Sequence, residues 1–162
     1  MERRSFPGRA AILAATVLAL TAAPAGAWPP WLSIEAPPNP YDRMASGAVL
    51  LVHTYFHDPS PTDSVLGTAE GLVGGKRQSI PLAFRRTDRP GVFALGRQWP
   101  SDGIWLLVIE TSRKGDSPAA ALVQLGSGGE VEWVRGTVGK SDLSRAAIDS
   151  LLATRATRLA AK

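Results

Sequence analysis

The sequence predicts a mainly β protein, an antiparallel sandwich of seven to eight strands with a C-terminal α-helix. Short β-prone runs recur along the chain, and clusters of turn residues separate them, which is typical of all-β sandwiches and barrels. The clearest pair of runs, 92–95 and 104–109, flanks a turn signal at 99–103 with the sequence WPSDG. After residue 140 the apolar spacing becomes helical, and nowhere do strands and helices alternate as in a parallel sheet.

Residues 1–27 have the pattern of a secretory signal peptide. Arginines form a positive start, residues 10–23 are largely apolar, and Ala25-Gly26-Ala27 supplies the small residues of a cleavage site. The apolar run is shorter than the roughly 20 residues that span a bilayer, which favours cleavage over retention as an anchor. We therefore expect a periplasmic or secreted protein with no transmembrane helix after cleavage. Its β-sandwich domain would occupy residues 28–138, and an amphipathic helix would occupy 139–162.

The composition excludes several classes of function. The chain has no cysteine, which excludes thiol catalysis, iron–sulfur clusters and Cys-based zinc sites. Without residues 1–27 it carries 15 basic and 13 acidic side chains, a net charge of +2. So weak a positive field argues against nucleic acid as a partner. The preference for Arg over Lys, with abundant Ala, Gly and Pro, is typical of a GC-rich bacterial genome.

Eight runs have the length and residue types of strands. In chain order they are 32–35, 48–56, 65–73, 78–86, 92–95, 104–109, 119–125 and 131–135. Prolines around the first run and Pro81 in the fourth predict edge positions, while Gly67 and Gly71 predict a broken third strand. The runs 48–56 and 104–109 are apolar on both faces, which indicates that other elements cover their outer sides.

The C-terminal segment has helical spacing from Leu143 to Leu159, and Ser141 is the candidate N-cap. Two interpretations are open. The helix would lie across the sandwich and cover the strands that are apolar on both faces, or it would be a basic amphipathic segment for a membrane surface or a partner. The stripe of Leu and Ala contains no aromatic residue and would insert weakly into a membrane interface, which favours packing on the sandwich.

His53 and His57 are the only histidines, and Asp58 follows directly. Four residues apart on a strand, the two histidines point to the same side but lie roughly 13 Å from each other at about 3.3 Å per residue. That distance is too large for one shared metal ion unless the strand bulges at its end. A metal site formed by His53, His57 and Asp58 is therefore kept as an alternative, and no cofactor is predicted.

No motif in the sequence predicts an enzyme. The run 71–76 (GLVGGK) resembles a phosphate-binding loop, but Glu70 stands where the first Gly is required and Arg77 replaces the Ser or Thr that would bind magnesium. The run 126–128 (GSG) lacks the flanking residues of a nucleophile elbow. We therefore expect a non-enzymatic protein.

Three motifs carry a resemblance to a known group of domains: Pro90-Gly91-Val92-Phe93, Trp99-Pro100, and the strand from Gly103 to Ile109. Here the chain resembles exported bacterial immunoglobulin-like or transthyretin-like domains, among them the YtkA-like and carboxypeptidase-regulatory-like modules. The resemblance implies an immunoglobulin-like sandwich that binds or spaces other components and has no catalytic residues. We expect an accessory or interaction module of the bacterial cell envelope with a protein partner. The alternative is a periplasmic metal-binding protein that uses His53 and His57.

Overall fold

The computed structural model describes residues 31–55, 64–112, 119–138 and 143–161. Within these ranges the chain forms nine strands, one single-turn 3-10 helix (Arg43–Ala45) and one α-helix. In chain order the elements are β1 (Trp31–Glu35), β2 (Leu50–Tyr55), β3 (Ser64–Val73), β4 (Lys76–Pro81), β5 (Arg85–Arg86), β6 (Val92–Leu95), β7 (Ile104–Ser112), β8 (Ala119–Leu125), β9 (Val131–Val138) and α1 (Arg145–Ala160). The predicted signal peptide, residues 1–27, lies outside the described residues.

The strands form two antiparallel sheets that pack face to face. One has four strands in the order β1-β2-β6-β5, and the other has five in the order β4-β3-β7-β8-β9. Alternate residues of both sheets form one buried cluster between them, which includes Leu50, Phe93, Leu107 and Val123. The predicted antiparallel sandwich with a C-terminal helix is therefore confirmed.

The predicted strand 78–86 is wrong as one element, because the chain changes sheets within it. β4 pairs with β3 in one sheet and β5 pairs with β6 in the other. Ile80, Leu82 and Phe84 still point into the same core, since the segment crosses the edge of the sandwich, and the alternation in the sequence therefore shows no break. Gln98 supports the crossing, because its side chain bonds to both backbone groups of Ala83 at 2.8 Å. The predicted edge position is confirmed for both strands.

β3 is continuous, so the prediction of a strand broken at Gly67 and Gly71 is also wrong. Gly71 pairs with Trp105 on β7, whose ring occupies the space above the glycine. A Cβ at position 71 would lie 2.7 Å from Trp105 Cζ3. The glycine makes room for a buried tryptophan, and the indole N–H of Trp105 donates to the Asp102 carbonyl at 2.8 Å.

The helix α1 packs on the outer face of the five-stranded sheet. Ile148 and Leu152 are buried against Leu106, Val108 and Leu122 of β7 and β8. Of the two interpretations of the C-terminal segment, packing on the sandwich is confirmed. None of the helices among the described residues is long and apolar enough to cross a membrane.

The helix begins later than the sequence predicts. Its N-cap is Ser144, whose hydroxyl accepts from the Ala147 backbone N–H at 3.2 Å, whereas Ser141 lies outside the described residues. Leu143 and Ile148, on either side of the cap, belong to the same apolar cluster, in the manner of a hydrophobic staple. Ser141 and Ser144 are both favourable N-caps by residue type. The contact of Leu143 with the apolar cluster on the sheet favours the cap at Ser144.

The helix does not cover the second strand that is apolar on both faces, β2. Part of the outer face of the four-stranded sheet is covered instead by the loop 36–49, which contains the 3-10 turn. Ala45 and Ala48 of this loop pack on Leu51, Val92 and Ala94. The expectation that one helix explains both strands is therefore wrong, since each sheet has its own cover.

Candidate functional site

The loop 36–49 covers only part of the outer face of the four-stranded sheet. Beyond it, β1 and β2 place three cross-strand pairs on this face: Trp31–Tyr55, Ser33–His53 and Glu35–Leu51. Leu51 is buried under the loop. We call the other five residues the β1–β2 face: Trp31, Ser33, Glu35, His53 and Tyr55.

The rings of Trp31 and Tyr55 are stacked at the open end of this face. Their centroids are 4.0 Å apart and their planes differ by 12°. Trp31 is 56% exposed and Tyr55 is 40% exposed, while β1 and β2 below them are paired in one sheet of the sandwich. Cross-strand aromatic pairs stabilise a sheet, and an exposed pair with fixed geometry is also a ready surface for a ligand.

Glu35 fixes the other end of the β1–β2 face. Its Oε2 lies 2.9 Å from His53 Nε2, and its Oε1 accepts from the Asn39 backbone N–H at 3.2 Å. One carboxylate therefore joins β1, β2 and the start of the loop 36–49. This arrangement fixes the orientation of the imidazole and stabilises the boundary between the covered and the open part of the sheet.

Ser33, His53 and Glu35 are the residue types of a hydrolytic triad, but their geometry differs from one. The Ser33 hydroxyl donates to Tyr55 OH at 3.5 Å, while the imidazole nitrogen Nε2 of His53 faces Glu35. Nucleophilic catalysis needs a base in contact with the nucleophile, and no such contact to Ser33 is present in the described part of the chain. The arrangement is suited to binding by stacking and hydrogen bonds.

The described residues include only one of the three predicted metal ligands. His53 lies on the β1–β2 face, and His57 and Asp58 lie outside the described residues. Among residues 31–55, 64–112, 119–138 and 143–161, no group of three His, Asp or Glu side chains could hold a metal ion. The metal site of His53, His57 and Asp58 therefore stays a prediction.

Glu35 is the functional candidate that the sequence did not indicate. The alternation along β1 was sufficient to place Glu35 on the same face as Trp31 and Ser33. Its contact with His53 depends on the register between β1 and β2, which sets residues 18 apart in the sequence side by side. Nothing local in either strand encodes that register.

A second polar cluster lies on the outer face of the five-stranded sheet, beside α1. Arg77 on β4 contacts Glu70 at 2.7 Å and Asp149 of the helix at 2.8 Å, and Ser79 donates to Glu70 at 2.8 Å. Burial alone would raise the pKa of Glu70, but hydrogen bonds from Thr68 and Ser79 and the charge of Arg77 outweigh it, so the pKa is lowered. Because its carboxylates and its guanidinium bond to one another, we assign this cluster to holding the helix on the sheet.

Comparison with known proteins found nothing similar: no family model, no curated protein and no solved structure matches the chain. The resemblance to immunoglobulin-like and transthyretin-like modules therefore stays an expectation. What the structure shows is the mainly β sandwich of two antiparallel sheets with a C-terminal helix.

Proposed function

We propose that this chain is an exported, non-enzymatic β-sandwich that acts as an accessory or interaction module of the bacterial cell envelope. The observation that carries the proposal is the exposed Trp31–Tyr55 stack on the paired strands β1 and β2. Exposed aromatic rings on a fixed scaffold are typical of binding surfaces, because they provide contact area at little cost in conformational entropy. We assign binding to the β1–β2 face.

Export is supported by the sequence of the first 27 residues. The positive start, the apolar run and the small residues before Trp28 fit a signal peptide whose removal leaves a mature chain in the periplasm or outside the cell. N-terminal sequencing of the protein from fractionated cells tests this part. A mature chain that begins at Trp28 is expected in the periplasm or the medium, and an intact N-terminus in the cytoplasm would contradict export.

A site-specific photocrosslinker tests the binding surface in the living cell. With the photoreactive residue at position 55, we expect a discrete cross-linked product with one envelope component. The matched control places the same residue at position 66, since Leu66 is an exposed apolar residue of the other sheet. Equal products at the two positions, or none at position 55, would reject the β1–β2 face as the binding surface.

A metal-binding function in the periplasm is the second candidate. It is favoured by Glu35, which places a carboxylate 2.9 Å from His53 Nε2 and so offers a ligand that could replace Asp58 in the predicted set. Calorimetric titration of the mature protein with Cu(II) and Zn(II) tests it. Micromolar affinity that is lost in His53→Ala and His57→Ala would support the metal site, and its absence in the folded protein would exclude it.

A further inference from the structure

We infer that the ligand of the β1–β2 face is a carbohydrate, a polysaccharide of β-1,4-linked pyranose units that stacks a sugar ring on Trp31. The inference rests on the proposed function and names its ligand class. Such a sugar ring has a flat face of C–H groups and a rim of hydroxyls. A binding site for it therefore needs an open aromatic face with hydrogen-bonding groups at the side, as the β1–β2 face provides.

The stacking geometry favours a flat ring over a peptide. The ring planes of Trp31 and Tyr55 are nearly parallel and 4.0 Å apart, so no groove remains between them. Proline-rich peptides dock into aromatic-lined grooves, which this pair does not form. Among the described residues, stacking covers one face of each ring, and much of both side chains stays exposed. Trp31 lies on β1, which is the terminal strand of its sheet.

The exposed area of the two aromatic side chains is similar to the area that a bound sugar would cover. An aromatic side chain buries about 150–250 Å² in full, so the exposed parts of Trp31 and Tyr55 together offer about 200 Å². A stable protein interface needs about 800 Å² from each partner. The pair therefore suffices for one or two sugar rings. It falls short of the roughly 450 Å² of apolar surface, a little over half of the total area, that a stable protein complex would bury on each partner.

The polar groups of the face fit a neutral ligand. Among the described residues of this face, Glu35 and His53 contact each other, and the other carboxylate oxygen of Glu35 accepts from the Asn39 backbone N–H, so both side chains are engaged within the protein. The Ser33 and Tyr55 hydroxyls are 3.5 Å apart, longer than a strong bond between hydroxyls, so both can bond to the hydroxyl rim of a sugar.

Co-sedimentation with insoluble polysaccharides tests the inference. The probes are crystalline cellulose, chitin and isolated peptidoglycan sacculi, which are β-1,4-linked, and insoluble α-1,4-linked amylose for comparison. We expect the mature protein to bind at least one β-1,4-linked polymer. Trp31→Ala should weaken that binding by about tenfold or more, and Trp31→Phe, which keeps a ring, should retain most of it. Leu66→Ala is the matched control and should bind as the unmodified protein does, with thermal melting confirming that every variant is folded.

Three results would overturn the inference: no binding to any β-1,4-linked polymer, binding that Trp31→Ala leaves unchanged, or equal binding to amylose. The photocrosslink at position 55 separates this failure from that of the proposed function. A discrete protein cross-link without polysaccharide binding would reject the carbohydrate and keep the interaction module. If no cross-link forms at position 55 and no polymer binds, both proposals fail.

Discussion

Arg155 of α1 and Glu132 of β9 form an ion pair that a β-bulge makes possible. Gln124 of β8 pairs with Trp133 of β9, and Leu125 pairs with Val131, so Glu132 is the extra residue of a bulge on β9. The bulge lets Glu132 contact the helix, whereas in a regular ladder this position would point to the other face of the sheet. At the opposite edge of the same sheet, Asp149 pairs with Arg77 of β4. The two pairs hold the two halves of α1 to opposite edges of the five-stranded sheet.

These two ion pairs should differ in their contribution to stability. Arg155 is only 16% exposed, so Glu132→Gln leaves a largely desolvated guanidinium with a neutral partner, and we expect it to lower the free energy of unfolding by about 1–3 kcal/mol. Asp149 is 47% exposed, and Asp149→Asn should cost less than about 1 kcal/mol. Urea denaturation measures both variants, and equal losses would contradict the difference in burial.

The apolar contact of the helix should contribute more than either ion pair. Leu152 is 2% exposed between α1 and the sheet, and Leu152→Ala should destabilise the protein by about 2–5 kcal/mol because it removes buried methyl groups and leaves a cavity. Leu159→Ala, at a position 37% exposed on the same helix, is the control and should change stability by less than about 0.5 kcal/mol. If both substitutions were silent in thermal melting, α1 would not be packed on the sheet in solution.

The features that the sequence predicts correctly depend on alternation within one strand or on helical spacing within one helix. The inward positions of Ile80 and Phe84, the edge position that Pro81 imposes and the apolar stripe with Leu152 all follow from such local patterns. The sequence pattern does not reveal the crossing between the two sheets at Leu82, because the inward-facing residues before and after it pack into the same core.

Contacts set by strand register are beyond such patterns. Trp31 meets Tyr55, and Glu35 meets His53, only because β1 and β2 pair in one of several registers that their alternation permits. The same holds for Gly71: a glycine is needed at this position because the ring of Trp105, on the neighbouring strand, occupies the space that a side chain would fill. The candidate site consists almost entirely of such contacts, which is why the sequence located His53 and missed its partner.

Gly71 should be intolerant of even the smallest side chain. The Cβ of Gly71→Ala would lie 2.7 Å from Trp105 Cζ3 and 2.8 Å from Cδ2, and the buried ring cannot move without displacing the core. We expect a loss of about 1–3 kcal/mol, as in other overpacked cores. Gly136→Ala in β9 is the matched control, because nothing lies within 4 Å of its Cβ position and alanine is favoured over glycine in a strand. A melting temperature that stayed unchanged in Gly71→Ala would refute this packing.

Glu35 should determine how tightly the loop 36–49 is held. Glu35→Ala removes the acceptor for the Asn39 backbone N–H and the partner of His53. We expect faster hydrogen exchange in the loop and at Leu51 below it, with little change in β7 and β8. Glu110→Gln, on the other sheet, is the control and should leave exchange in the loop unchanged. Unaltered exchange at Asn39 in Glu35→Ala would show that the loop is held by other contacts, such as the Asp42–Arg89 pair at 2.7 Å.

Glu70 should make stability depend on pH in the acidic range. Its pKa in the folded protein lies below the usual 4.5, so the folded state favours the carboxylate. The resulting stabilisation is complete above about pH 4.5, the pKa of the unfolded chain, and is lost as the pH falls through the lower pKa of the folded state. Melting temperatures between about pH 7 and pH 3 test this, since the difference between the unmodified protein and Glu70→Gln should be constant above about pH 5 and shrink below it. Arg77→Gln removes the charge that helps to lower the pKa and should move the loss to higher pH. Parallel curves for the unmodified protein and Glu70→Gln across the whole range would mean that Glu70 has no such linkage to folding.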